Sequence, residues 1–315
     1  MSVNSYTRAF LIGAGASLAC KPQLPLDANF FNILRRTYNV QYSAISNTLA
    51  RSNPKYGNDK LQDFGLEEII MAAENISDSE QIVFHNSIMK GIHRLIVSPI
   101  EAEDPSEPLN YYDVLVRHPK FSYNDFFINL NYDIMLDRAI WNLSKYRTGH
   151  KTIDYGFDGN GTVKASGSVQ LLNDKAATIF KPHGSLNWLS TKQNDIVIHD
   201  HMEPIDWIDD TLILPPGKKT MEKTRTQWLN MEHRLSQADE LIIIGCSLSK
   251  NDQELNNIVM KYFGHKNIGA KKVKVITRQV NDKNKEIQFR EIFGEKMLFH
   301  QDGFSYGAIE FIYNQ

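Results

Sequence analysis

Arg8–Ser17 reads RAFLIGAGAS, and it decides how the rest of the chain is read. Ala9, Phe10, Leu11 and Ile12 are apolar without alternation. A strand with that pattern has both faces covered, as in a parallel sheet. Gly13, Ala14, Gly15, Ala16 and Ser17 are all small. They let the backbone turn sharply and bring amide N–H groups close to a bulky anion at a helix N-terminus. The turn falls short of the full dinucleotide fingerprint. Position 18 is leucine where G-x-G-x-x-G ends in glycine, and no acidic residue ends a second strand about twenty residues on. Alone, it reads equally as a phosphate cradle or as a tight strand-to-helix turn. A secretory reading fits worse. One arginine precedes the apolar run, two glycines interrupt it, and Ser17 stands where a lipoprotein cleavage site ahead of Cys20 needs a large aliphatic residue.

The 315 residues suffice for one large domain or two modest ones, and they can bury a substantial core. Apolar residues at 42% and charged residues at 23% describe an ordinary globular composition. A net charge of −2 gives no electrostatic case for gripping nucleic acid or an anionic membrane. No apolar run reaches the roughly eighteen residues of a membrane span. The two cysteines, Cys20 and Cys246, supply neither a CxxC pair, nor a zinc framework, nor a disulfide framework. That usage fits a reducing cytoplasm.

Downstream, Asp27 is placed to cap a helix starting at Ala28. Residues 28–118 then read as a helical insertion, with helical periodicity over Phe64–Asn75 and Glu80–Ile96 and an exposed acidic loop at 101–108. Its plainest role is a cap over the sheet or an oligomer surface. Further apolar runs predict strands at Asn124–Leu130, Ala177–Lys181, Ile196–Ile198, Thr211–Leu214, Glu240–Ile244 and Lys272–Ile276, with Lys296–His300 as an edge strand. Helices are expected over Ile134–Leu143, Trp228–Ala238, from about Asp252, and over Asn281–Phe293, while the Gly- and Asp-rich 149–175 reads as loop or small hairpin. Strands alternating with helices argue an α/β fold: a doubly wound, parallel, Rossmann-like sheet with a helical cap. The expected organisation is a single domain over 1–315, its core formed by 6–27 and 119–315 with 28–118 inserted.

Four polar loops fall just past the C-terminal ends of predicted strands: GAGAS, Asn131/Asp133, His183/Ser185 and Ser247/Asp252. Ligands bind in that crevice of an open α/β sheet, so four loops converging there say more than any one motif. Each has a plainer reading when taken alone. Asn131-Tyr132-Asp133 serves as a helix cap, His183-Gly184-Ser185 as a buried turn, and Gly245-Cys246-Ser247 as a strand end with Cys246 as packing. Pro215–Thr220 lacks the upstream glycine of a P-loop, and His199/His201 lack a third metal ligand.

Taken in order, GAGAS, N-Y-D after an apolar strand, P-H-G-S, and I-I-G-C-S-L-x-x-x-D resemble the sirtuin (silent information regulator) superfamily. Leu214-Pro215-Pro216 followed by Lys218 is similar to its prokaryotic branch. The resemblance covers residue 8 to about residue 300 and omits the insertion. It implies NAD+ across the strand ends, as substrate. Gly13, Ala14, Gly15, Ala16 and Ser17 would hold the pyrophosphate, Asn131 would sit by the nicotinamide ribose, and Asp133 would position the nicotinamide amide or order its loop. His183 would be the general base. Gly245, Ser247 and Leu248 would contact the adenosine side, with Thr277 and Arg278 near the adenine.

The departures are as informative. The four cysteines of the deacylase zinc module are missing between His183 and Thr211, so no zinc is expected and peptide deacylation loses support. The resemblance then implies an NAD+ glycohydrolase of the kind associated with anti-phage defence. Such an enzyme would be held inactive in a homo-oligomer or by a partner such as a ring-shaped ATPase or helicase-type protein. An ADP-ribosyltransferase and a non-catalytic NAD or ADP-ribose sensor are the alternatives.

Overall fold

In the computed structural model, β1 (Arg8–Ile12) lies at the centre of a seven-stranded sheet, flanked by parallel partners on both edges. The structure describes residues 6–21, 24–25, 29–57, 60–73, 76–97, 110–148, 153–157, 163–165, 177–190, 196–198, 211–213, 224–250, 252–266, 271–278, 284–295 and 297–314. The Asp27 cap, the loop at 101–108, the His199/His201 pair and Pro215–Thr220 lie outside them.

The other strands are β2 (Phe126–Asn129), β3 (Ile153–Asp154), β4 (Val163–Ala165), β5 (Ala177–Phe180), β6 (Gly184–Ser190), β7 (Ile196–Ile198), β8 (Thr211–Ile213), β9 (Glu240–Ile244), β10 (Lys272–Ile276) and β11 (Leu298–His300). The large sheet runs β11-β10-β9-β1-β2-β5-β3, and every pairing in it is parallel. From β1 the chain lays β2, β3 and β5 on one side, with β5 between the other two, then crosses back to lay down β9, β10 and β11 on the other. The order therefore reverses between β1 and β9. That reversal opens a crevice at the strands' carboxyl ends, where doubly wound sheets take their ligands.

The helices are α1 (Ala14–Ala19), α2 (Phe30–Thr37), α3 (Asn39–Ser52), α4 (Leu66–Ala72), α5 (Asp78–Ile92, running into a π turn at His93–Val97), α6 (Tyr111–Arg117), α7 (Met135–Thr148), α8 (Arg225–Gln237), α9 (Gln253–Phe263), α10 (Asn284–Phe293) and α11 (Tyr306–Tyr313). The uninterrupted apolar run of β1 now has its reason. Phe10 and Ile12 face a core shared with α2–α7 and α11, whereas Ala9 and Leu11 face a second core built on α8–α10. Successive strand residues point to opposite faces, so a strand covered on both needs apolar residues throughout. Phe10 stacks on Phe127 at 4.9 Å within the first core. The insertion is therefore part of one sheet face.

Several elements differ from the sequence expectation. Ile196–Ile198 and Thr211–Ile213 are strands, but of a separate four-stranded sheet ordered β4-β7-β6-β8. Its centre, β6, carries buried Ser185 and Asn187 beside Leu186 and Trp188. Those polar residues disguised it as loop. The terminal α11 was also unforeseen; Ser305 caps it by accepting from the Ala308 amide at 3.2 Å.

At the sheet's opposite end, buried charges fix the register. Arg8 lies 3.4 Å from Asp125 and 3.6 Å from Glu240, and Glu240 lies 3.3 Å from Lys274.

Candidate functional site

Gly13, Gly15 and Gly245 interlock the β1 and β9 turns at the switch point. The Gly13 N–H donates to the Ile244 carbonyl at 2.9 Å and the Gly15 N–H to the Gly245 carbonyl at 3.0 Å. A Cβ on Gly13 would lie 2.6 Å from the Cys246 Cα, and one on Gly245 would collide with the Ala16 nitrogen. Gly245 also has φ of +60°, a region that costs other residues roughly 1–2 kcal/mol. Overpacking adds at least about 1 kcal/mol, so Gly245→Ala is expected to lose about 2–3 kcal/mol of stability in denaturant titration. The next turn is strained too: Leu248 has φ of +52°, and its N–H meets the Cys246 sulfur at 3.4 Å.

Ser17, Asn131 and Asp133 form one buried cluster across β1 and β2. The Asn131 Nδ2 group donates to the Gly13 carbonyl at 3.1 Å and to Ser17 Oγ at 2.8 Å. Ser17 Oγ donates its single proton to Asp133 Oδ2 at 2.8 Å, so Tyr112, 3.0 Å away, is the donor in its own contact with Ser17. The acceptor-only Gly13 carbonyl fixes which way the Asn131 amide faces. Asp133 Oδ1 accepts from the Met135 amide at 3.0 Å and so caps α7. Helix cap and site residue are the same side chain. Burial raises the Asp133 carboxyl above its ordinary value, and the Lys181 ammonium opposes that rise.

Lys181 is wholly buried where β5 ends. It donates to the Asp133 carbonyl at 2.6 Å and pairs with Asp137 at 3.3 Å. Asp137 also accepts from Tyr155 Oη at 2.6 Å. Two residues on stands His183, 1% exposed, its Nε2 2.7 Å from Asp252 Oδ1. Its buried Nδ1 faces Glu67 Oε1 at 3.6 Å, and the Leu130 backbone also bonds to the ring. Desolvation, the largest influence, favours the neutral ring, but Asp252 and then Glu67 together outweigh it and raise the pKa. Leu130 and Tyr132, which flank Asn131, both lie near this imidazole.

The residues expected from sequence thus all follow parallel strands, but they are not equally joined. Asn131, Ser17 and Asp133 are hydrogen-bonded together, with His183 alongside. Gly13, Ala14, Gly15 and Ala16 form the turn, yet the N–H groups of Gly13, Gly15 and Ala16 are all directed into the protein. Ser247 is exposed in the β9 loop. Thr277 and Arg278 follow β10, where Thr277 bonds through its backbone to His300 and Gly303 and Arg278 bridges to Asp302. Burial pushes the Cys246 thiol up to about 12, which makes it an unreactive packing group. Glu67, Tyr112 and Lys181 were not anticipated. Only Lys181 carried a sequence cue, a charge ending a buried strand.

No family model and no curated protein matches the chain. Solved structures do. Sirtuins stand among the matches. "Structure of Sir2Tm bound to a propionylated peptide" matches with TM-score 0.43 at 12% identity, over 99% of this chain and 93% of that one. "The Structural basis for Sirtuin Substrate affinity" gives 0.39 at 12% identity over 99% and 93%. The fold assignment rests on the strand order itself. Among the described residues no cluster of His, Cys, Asp and Glu could hold a metal ion, and no helix is long and apolar enough to cross a membrane.

Proposed function

We propose that this chain is an NAD+ glycohydrolase that releases nicotinamide and ADP-ribose. The observation that carries the reading is the buried His183–Asp252 pair beside the Asn131–Ser17–Asp133 cluster, at the switch-point crevice. These residues suit NAD+. A buried imidazole held by a carboxylate and a side-chain amide at the strand ends are the proton-accepting and hydrogen-bonding groups that hydrolysis of such a substrate needs.

Each group has a task. The C1′–N1 bond breaks with its electron pair going to the nicotinamide nitrogen, leaving an oxocarbenium-like ribose. Water attacks C1′ and yields its proton to His183 Nδ1. Asp252 orients the ring through Nε2 and stabilises the imidazolium that forms. Asn131 steers the water or a ribose hydroxyl through its carbonyl oxygen, adding no charge. Fixing and desolvating the ribose supplies much of the remaining acceleration.

The sequence resemblance supports a wider role for this hydrolase as an anti-phage effector in the cytoplasm, kept silent within a homo-oligomer or by a partner ATPase. A constitutively active monomer would overturn that role. The test of the activity is chromatography of products from NAD+ incubated with wild type and Asn131→Ala. Nicotinamide and ADP-ribose from wild type, with at least about a hundredfold less from the variant, is the expected result. Label transferred to macromolecule would mean an ADP-ribosyltransferase, and binding without turnover a sensor.

A further inference from the structure

His183 meets carboxylates from two parts of the chain distant in sequence. Asp252, at the start of α9, holds Nε2. Glu67, in the first turn of α4, faces Nδ1. Resting on the hydrolase reading above, we propose that Glu67 of the helical insertion is a positioning residue for His183. Its carboxylate flanks Nδ1, the ring nitrogen that Asp252 does not hold, and stabilises the positive charge that the ring gains when water is deprotonated.

Three observations carry this. Nδ1 is buried, and the Glu67 carboxylate is the charge it faces, 3.6 Å away. The 3.6 Å separation exceeds hydrogen-bond length, so the carboxylate acts on the ring through its charge. Glu67 is also held in place. Leu66 and Ile69 on either side of it are buried in the core, which fixes the rotation of α4. The adjacent Glu68 points elsewhere, 3.9 Å from Lys55.

The other groups around the ring do not duplicate this charge. Cys246, from the β9 turn, lies in the field of both carboxylates as a neutral thiol. Tyr132 presents its ring at 6.5 Å, and Leu130 contributes its backbone. The insertion thus adds a charged group, as its Tyr112 adds a hydroxyl beside Ser17, to a centre built on the strand-end loops.

The test is an NMR titration of His183 in the full chain, alongside the pH profile of NAD+ hydrolysis. Glu67→Gln is expected to lower the His183 midpoint by about one pH unit. The acid limb of kcat should move down with it, and kcat at the optimum should fall about three- to tenfold with KM little changed. Glu67→Asp should recover part of the midpoint, and Glu68→Gln should leave both readouts where they are. A midpoint unmoved in Glu67→Gln but lowered in Asp252→Asn overturns the proposal. The titration needs no turnover, so a wild type that failed to consume NAD+ would sink the hydrolase reading and still leave the Glu67–His183 link decided.

Discussion

His183→Ala is expected to lower kcat for NAD+ hydrolysis by roughly 10²–10⁴-fold, the usual contribution of a positioned acid–base group. KM should change little, because the ring acts on water and not on the remote parts of the substrate. The same side chain predicts a stability signature. Its folded pKa is raised because Asp252 and Glu67 favour the imidazolium over the desolvation that opposes it. A raised pKa means that the folded state binds the proton more tightly than the unfolded chain does. The stabilisation is therefore complete below the unfolded value near 6.5 and is lost as pH rises through the folded value. Wild-type Tm should fall across that window, and His183→Ala should flatten the fall. A variant that keeps more than about a tenth of wild-type kcat would remove this histidine from the chemistry.

The parts of this arrangement that a short window of sequence records are those built from neighbouring residues. β1 and β9 announce themselves as continuous apolar runs because both sheet faces are covered, and the polar loops follow directly from them. β6 escaped because Ser185 and Asn187 are buried in it. They satisfy each other through the 2.6 Å bond from Ser185 Oγ to Asn187 Oδ1, so polar residues occupy interior positions at no net penalty. Glu67 escaped for a different reason. Its neighbours predict a helix correctly, but what that helix faces depends on how the insertion docks on the sheet. GAGAS shows a different limit. Its small residues read equally as a phosphate cradle or as a tight strand-to-helix turn, and only the partner strand brings the close packing against Gly245 into view.

Lys181→Met should be the most damaging change to stability among the residues near the site. The ammonium is fully buried, is bonded to the Asp133 carbonyl, and is paired with an equally buried Asp137. Methionine fills a similar volume, so the loss is electrostatic and not a cavity. Asp137 would retain the Tyr155 hydroxyl but lose its counter-ion. Breaking a buried pair from one side costs about 3–5 kcal/mol, because it strands the remaining charge. Asp133 would lose the cation that opposes its desolvation. Its carboxyl would rise further and hold its proton to higher pH, weakening the ionised form that accepts from Ser17. The damage would thus reach Asn131 through Ser17, and the hydrolase should lose activity even at temperatures where it stays folded. Asp137→Asn in the same chain separates the two effects. It removes the stranded charge, so the double variant should recover a large share of the stability in denaturant titration. It leaves Asp133 without its cation while removing the lesser push of the Asp137 charge, so activity should recover much less than stability. A single Lys181→Met variant that loses less than about 1 kcal/mol would mean that the buried pair is not what holds β5 to α7.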